Sequence, residues 1–139
     1  MSDEKMKVLL VKPGEYARAT EIGSDLESMQ AAVGGWIEEY MPFEDDVALV
    51  CNEEGKMNGL DLNRAIYSED GQMMDIIAGD FFVCYAPIES ESFQSLPDNL
   101  MDKYEKKFRF PEQFFRDEEG IKAVRFTPDQ GEREAAYER

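Results

Sequence analysis

Residues 24 to 51 read Ser-Asp-Leu-Glu-Ser-Met-Gln-Ala-Ala-Val-Gly-Gly-Trp-Ile-Glu-Glu-Tyr-Met-Pro-Phe-Glu-Asp-Asp-Val-Ala-Leu-Val-Cys, and this stretch decides the fold. Ser24-Asp25-Leu26-Glu27 fits a capping box, with Ser24 as N-cap and Glu27 reaching back at N3. Leu26, Met29 and Val33 lie three or four apart, on one face of a helix over about 25–33. Asp25 and Glu27 suit the positive end of its dipole, and Gly34-Gly35 stops it. Trp36 to Met41 then reads as a strand, with Trp36, Glu38 and Tyr40 facing one way and Ile37, Glu39 and Met41 the other. Pro42 to Asp46 is an acidic turn. Val47 to Cys51 is a compact apolar strand, antiparallel to the one before it.

The flanks extend the same pattern. On the N-terminal side, Met6 to Val11 is a short apolar run that hardly alternates, the mark of a central strand. Pro13-Gly14 turns it into a second strand, Tyr16 to Ile22. On the C-terminal side, Asn52-Glu53-Glu54-Gly55 and Asn58-Gly59 are loop signals. Asp61 to Tyr67 is expected to make one or two turns of helix, with Leu62, Ala65 and Ile66 inward. Met73 to Ile77 and Phe81 to Ala86 are strand-like. Ser95-Leu96-Pro97-Asp98 opens a second helix with proline in its first turn and an apolar stripe of Leu100, Met101, Tyr104 and Phe108. Pro111 begins a short turn carrying Phe114 and Phe115, and Val124-Arg125-Phe126 adds an edge strand. The expected architecture is one α+β domain over 1–127: a mostly antiparallel sheet, one main helix (about 25–33) packed on it, and a helical C-terminal segment. Residues 128–139 are expected to form a flexible tail.

Charge narrows the function. From 19 to 55 the chain has ten carboxylates and no Lys or Arg, within a formal net charge of −16, and it has no histidine. A surface this acidic repels nucleic acid and membranes and attracts basic proteins. The usual side chain for proton transfer at neutral pH is missing. No apolar run approaches the roughly 18 residues of a membrane span. Met1-Ser2-Asp3-Glu4-Lys5 is unlike a signal peptide, so a cytoplasmic location is expected. Cys51 and Cys84 sit in apolar runs and read as buried free thiols.

Several motifs recur together: Leu26 to Glu38, Asn52-Glu53-Glu54-Gly55-Lys56, Asn58-Gly59-Leu60, Asn63-Arg64-Ala65 and Ile77-Ala78-Gly79-Asp80. Their order and spacing over about residues 6–90 resemble the domain of unknown function 3846 family. Residues 91–127 would then be a C-terminal extension. Asp61 departs from the proline that the family pattern leads one to expect. The resemblance implies no established activity and no catalytic residues. It implies association with phages, plasmids and conjugative elements, often near antirestriction proteins.

The residues themselves offer two candidate sites. Asn52, Asn58, Asn63 and Arg64 form a polar set that is either loop chemistry or a small ligand-binding pocket. Arg64 is the only Lys or Arg from 57 to 102, so a carboxylate partner is expected. Trp36, Glu38, Glu39, Tyr40, Glu44, Asp45 and Asp46 form the candidate protein-interaction surface, provided the aromatics are not core. Gly34-Gly35 follows a helix, whereas phosphate loops precede one, so it reads as a stop. No catalytic signature, metal-binding motif or cofactor is expected. The function expected is non-catalytic binding of a host or element-encoded protein with a basic surface, by imitating DNA charge or as antirestriction-like counter-defence. The alternative is a ligand-sequestering module near Asn58, Asn63 and Arg64. Whether residues 103–125, which hold seven of the basic residues, fold back over the acidic run decides how much of it is free.

Overall fold

The computed structural model describes residues 4–128. In chain order the elements are β1 (Lys5–Val11), β2 (Arg18–Gly23), α1 (Leu26–Val33), β3 (Ile37–Tyr40), β4 (Val47–Asn52), β5 (Leu62–Tyr67), β6 (Met73–Ala78), β7 (Phe81–Tyr85), α2 (Asp98–Phe108), β8 (Glu112–Asp117) and β9 (Gly120–Arg125). β2-β1-β7-β4-β3 form one sheet in that spatial order, every pair antiparallel. The hairpins β1–β2 and β3–β4 stand where the turn chemistry places them. β5–β6 and β8–β9 are separate two-stranded hairpins.

The short unalternating apolar runs arise because the sheet is covered on both faces. On one face Met6, Val8, Ala48, Val50, Phe82 and Cys84 meet Met29 and Val33 of α1. On the other, Leu9, Val11, Val47, Leu49, Phe81 and Val83 meet Ile66 and Ile77 of the β5–β6 hairpin and Met101, Tyr104 and Phe108 of α2. The expected stripe of α2 is thus its buried face. Cys51 and Cys84 are buried and free. Burial pushes their thiols up to about 11 and about 12, so neither is a ready thiolate.

Five expectations change. Asp25, not Ser24, caps α1: its carboxylate accepts from the Ser28 N–H at 3.0 Å and the Ser28 hydroxyl at 2.7 Å. The Ser24 N–H instead reaches back to the Glu4 carbonyl. Gly34 does end the helix in the left-handed region that a Cβ disfavours. Residues 62–67 are a strand and not a helix, because pairing with β6 across the Ser68–Gln72 turn outweighs a weak local preference. Residues 112–125 are a regular hairpin, so the C-terminal segment is helical only over 98–108. Of the helices α1 and α2, α2, at 11 residues, is longer than α1, at 8, so α1 is not a single main helix. Pro97 stands at the N-cap of α2 and not within its first turn. The expected tail, apart from Pro128, lies outside the described residues. Among the described residues no helix is long and apolar enough to cross a membrane.

Candidate functional site

The polar set does not form one pocket. Asn63 and Arg64 are fully buried. The Asn63 amide donates to the Val11 carbonyl at 3.0 Å and the Gly79 carbonyl at 2.8 Å, and its oxygen accepts from Arg64 Nη1 at 2.9 Å. Arg64 donates from Nε and Nη2 to the Phe108 carbonyl at 3.0 and 2.9 Å, and from Nη2 to the Glu15 carbonyl at 2.8 Å. The guanidinium fork therefore satisfies the C-terminal carbonyl of α2 and ties it to the β1–β2 turn. The expected carboxylate partner is replaced by carbonyls, and no ion pair to Arg64 forms among the described residues. Glu112 acts on it electrostatically while accepting from the Ala65 N–H at 2.9 Å. Burial lowers Arg64 to about 10, still charged at neutral pH, and raises Glu112.

Asn52 performs the matching task for α1. Its amide donates to the Val33 carbonyl at 3.2 Å, and its oxygen accepts from the Glu54 N–H at 2.8 Å. Gly55 lies against β6 so closely that a Cβ there would sit 2.6 Å from the Ala78 carbonyl oxygen. Asn58 is exposed on the same loop and does not join Asn63 and Arg64. Three of the four polar candidates thus hold backbone together. The family-like motifs meet here because they fasten both helix C-termini to strand ends.

The acidic candidates behave differently. β3 is an outer strand of the five-stranded sheet, bonded on one edge to β4 and, among the described residues, to no strand on the other. Glu38 and Glu39 are exposed on its two faces. Trp36, just before it, is 67% exposed and so is not core. Tyr40 and Phe43 do pack against the core. On the Glu38 face, β3 and β6 border a cleft of about 260 Å³ whose lining includes Glu38, Tyr40, Glu53, Lys56 and Asp75. Lys56 Nζ is 2.7 Å from Asp75 Oδ1 within it. Burial first, then the charges of Asp75, Cys51 and Glu38, hold the Tyr40 phenol above its ordinary range. Asp75 and Lys56 escape a sequence reading because nothing local says that β6 comes up beside β3.

The basic segment covers little of this. Lys103 Nζ and the Tyr104 hydroxyl donate to Asp45 Oδ2 at 2.5 and 2.8 Å, and Lys107 sits over the Phe43 ring. The Lys103 bond, then the Tyr104 bond, lower the Asp45 carboxyl. Asp45 is consequently part of the α2 contact. It is the only one of the ten carboxylates between 19 and 55 with an ion pair among the described residues. Glu44 is exposed and Asp46 half-buried beside it. Among the described residues no group of three or more Cys, Asp or Glu is placed to hold a metal ion.

A family model described as "Domain of unknown function (DUF3846)" matches residues 6–109. The match passes the expected limit near 90 and takes in α2, whose last residue, Phe108, accepts from Arg64. No curated protein and no solved structure matches the chain.

Proposed function

We propose, from the premise that this chain belongs to the domain of unknown function 3846 family, that it is a non-catalytic binding protein which engages a basic protein through the acidic face around β3. The observation that carries this reading is that Glu38, Glu39, Glu44, Glu53 and Glu54, exposed on β3 and the loops at its ends together with Trp36, form no ion pair among the described residues, while Lys103 of the basic helix pairs with Asp45. Carboxylates on a stable body attract and orient a cationic partner, and an exposed aromatic supplies the contact area that charge alone lacks. The basic groove of a nuclease or other DNA-binding protein has the required charge. The mobile-element setting implied by the resemblance would make that partner a host protein met in the cytoplasm. The test is titration with an octa-arginine peptide, read by the fluorescence of the single tryptophan. Binding should weaken at least about tenfold between about 50 and 500 mM salt. Salt-independent binding, or none at the lower concentration, overturns the reading.

A second reading, a small-ligand site, moves from Asn63 and Arg64 to the concavity next to them. Lys12, Glu15, Asp61 and Asp80 line a hollow of about 470 Å³ at the C-terminal end of α1. Burial raises the Asp80 carboxyl. A cationic ligand would suit it, and a thermal shift with spermidine that Asp80→Asn abolishes would favour this reading over the first.

A further inference from the structure

We propose that β3 receives an added strand from the partner: an extended segment whose two adjacent basic residues face Glu38 and Glu39. This deepens the acidic-face reading and rests on it. Four observations meet at this strand. β3 has an edge unpaired among the described residues, so its outward N–H and C=O groups are available to another chain. Its two central side chains are both carboxylates, and neither has an ion pair among the described residues. Trp36, at the end of the same edge, exposes most of its ring. The cleft beside Glu38 already holds one ammonium from this chain, that of Lys56 on Asp75.

Strand geometry fixes what the partner must look like. Successive side chains alternate between faces, so Glu38 points to the cleft and Glu39 to the α1 side. Residues paired with them also alternate, and so the complementary segment carries two consecutive Arg or Lys residues. One enters the cleft between Glu38, Glu53 and Asp75, and the other meets Glu39. The residues flanking the basic pair oppose Ile37 and Tyr40, both half-buried, and are best apolar β-formers. The opposite edge of the sheet fits less well. β2 mixes Arg18 with Glu21 along its length and presents no paired carboxylates.

Charge on an edge strand can also serve only to discourage association. The experiment separates the two. The probe is acetyl-Gly-Ser-Val-Arg-Arg-Val-Ser-Gly-amide, followed by tryptophan fluorescence and by amide exchange of the intact protein. Two analogues carry N-methyl groups at alternate amides, one set in each, with charge unchanged. Strand addition predicts a blue shift of Trp36, slowed exchange within Ile37–Tyr40, and loss of at least about tenfold in affinity for one methylated set only. The other set, turned outward, should bind within about twofold of the parent. Equal binding of all three peptides, or binding of octa-arginine but not of this peptide, overturns strand addition and leaves the acidic-face reading standing. Failure of octa-arginine and this peptide alike at low salt overturns both. Glu38→Lys with Glu39→Lys should abolish binding while the amide spectrum outside β3 stays native. Retained binding by that variant also overturns the proposal.

Discussion

Arg64 and Glu38 are both charged side chains on strands, and the molecule treats them in opposite ways. Arg64 is wholly enclosed, and its guanidinium nitrogens donate to backbone carbonyls and Asn63. Glu38 stands at an open sheet edge, exposed and without an ion pair among the described residues. Burying a charge is costly unless its bonds are made, so Arg64 is kept for the structure it holds. Leaving like charges together on one edge brings no folding benefit that the structure shows. The difference separates a region that holds the scaffold from one left at the surface. A family-like motif of buried Asn and Arg marks the joints of the fold, and the acidic run marks what the fold presents.

The largest expected effect comes from breaking the joint. Arg64→Ala leaves the Phe108 and Glu15 carbonyls without their donor inside the protein, and should cost about 3 kcal/mol or more in urea denaturation. Arg64→Lys should recover little, because one ammonium cannot reproduce a planar fork to both carbonyls. If Arg64→Ala is within about 1 kcal/mol of the parent, the joint is dispensable and the contrast fails. Next, Gly55→Ala forces a methyl against the Ala78 carbonyl oxygen and should cost about 1–3 kcal/mol. A neutral outcome would mean that the loop at 53–60 is free to move off β6.

Legibility in the sequence follows the same division. The first helix, the hairpins β1–β2 and β3–β4, and the buried stripe of α2 were readable because each rests on local periodicity and turn residues. β5 was misread as helix because its conformation is set by pairing with β6 and by contacts of Asn63 and Arg64 with distant carbonyls, none of which is local. Of the β8–β9 hairpin only the end of β9, Val124-Arg125, is expected as strand, because β8 mixes Phe114 and Phe115 with charges and gives no clean alternation. At the site, the acidic surface was readable from composition. The use of Asn63 and Arg64 was not, since a polar residue in a loop-like stretch reads the same whether it meets a ligand or a backbone carbonyl. Asp45 was assigned to the partner-facing set and belongs instead to the contact with α2, which sequence distance hides.

Asp45 lies between the extremes and should behave so. Its removal leaves the Tyr104 hydroxyl, in a residue 1% exposed, without its acceptor. Asp45→Ala should cost about 1–3 kcal/mol. The carboxyl is lowered by Lys103 and Tyr104, so its contribution is present above the unfolded value of about 3.9 and is lost as pH falls through the lower folded value. The parent should therefore lose stability more steeply than Asp45→Ala on acidification below about pH 4. Parallel acid denaturation curves would show that Asp45 is solvated like its neighbours.

The smallest stability effect belongs to the edge itself, and it tests the comparison most directly. Glu38→Lys with Glu39→Lys replaces two exposed side chains whose carboxylates form no ion pair among the described residues. Substitutions away from buried features stay within about 0.5 kcal/mol each, and here the change also relieves repulsion within a body of net charge −16. Urea denaturation should consequently place the double variant close to the parent or slightly above it, while octa-arginine binding falls sharply. Scaffold and surface would then be separable: Arg64 changes stability, Glu38 and Glu39 change binding. A clear loss of stability in the charge-reversed variant would mean that the edge carboxylates are part of how β3 is held, and the division drawn between the two regions would not stand.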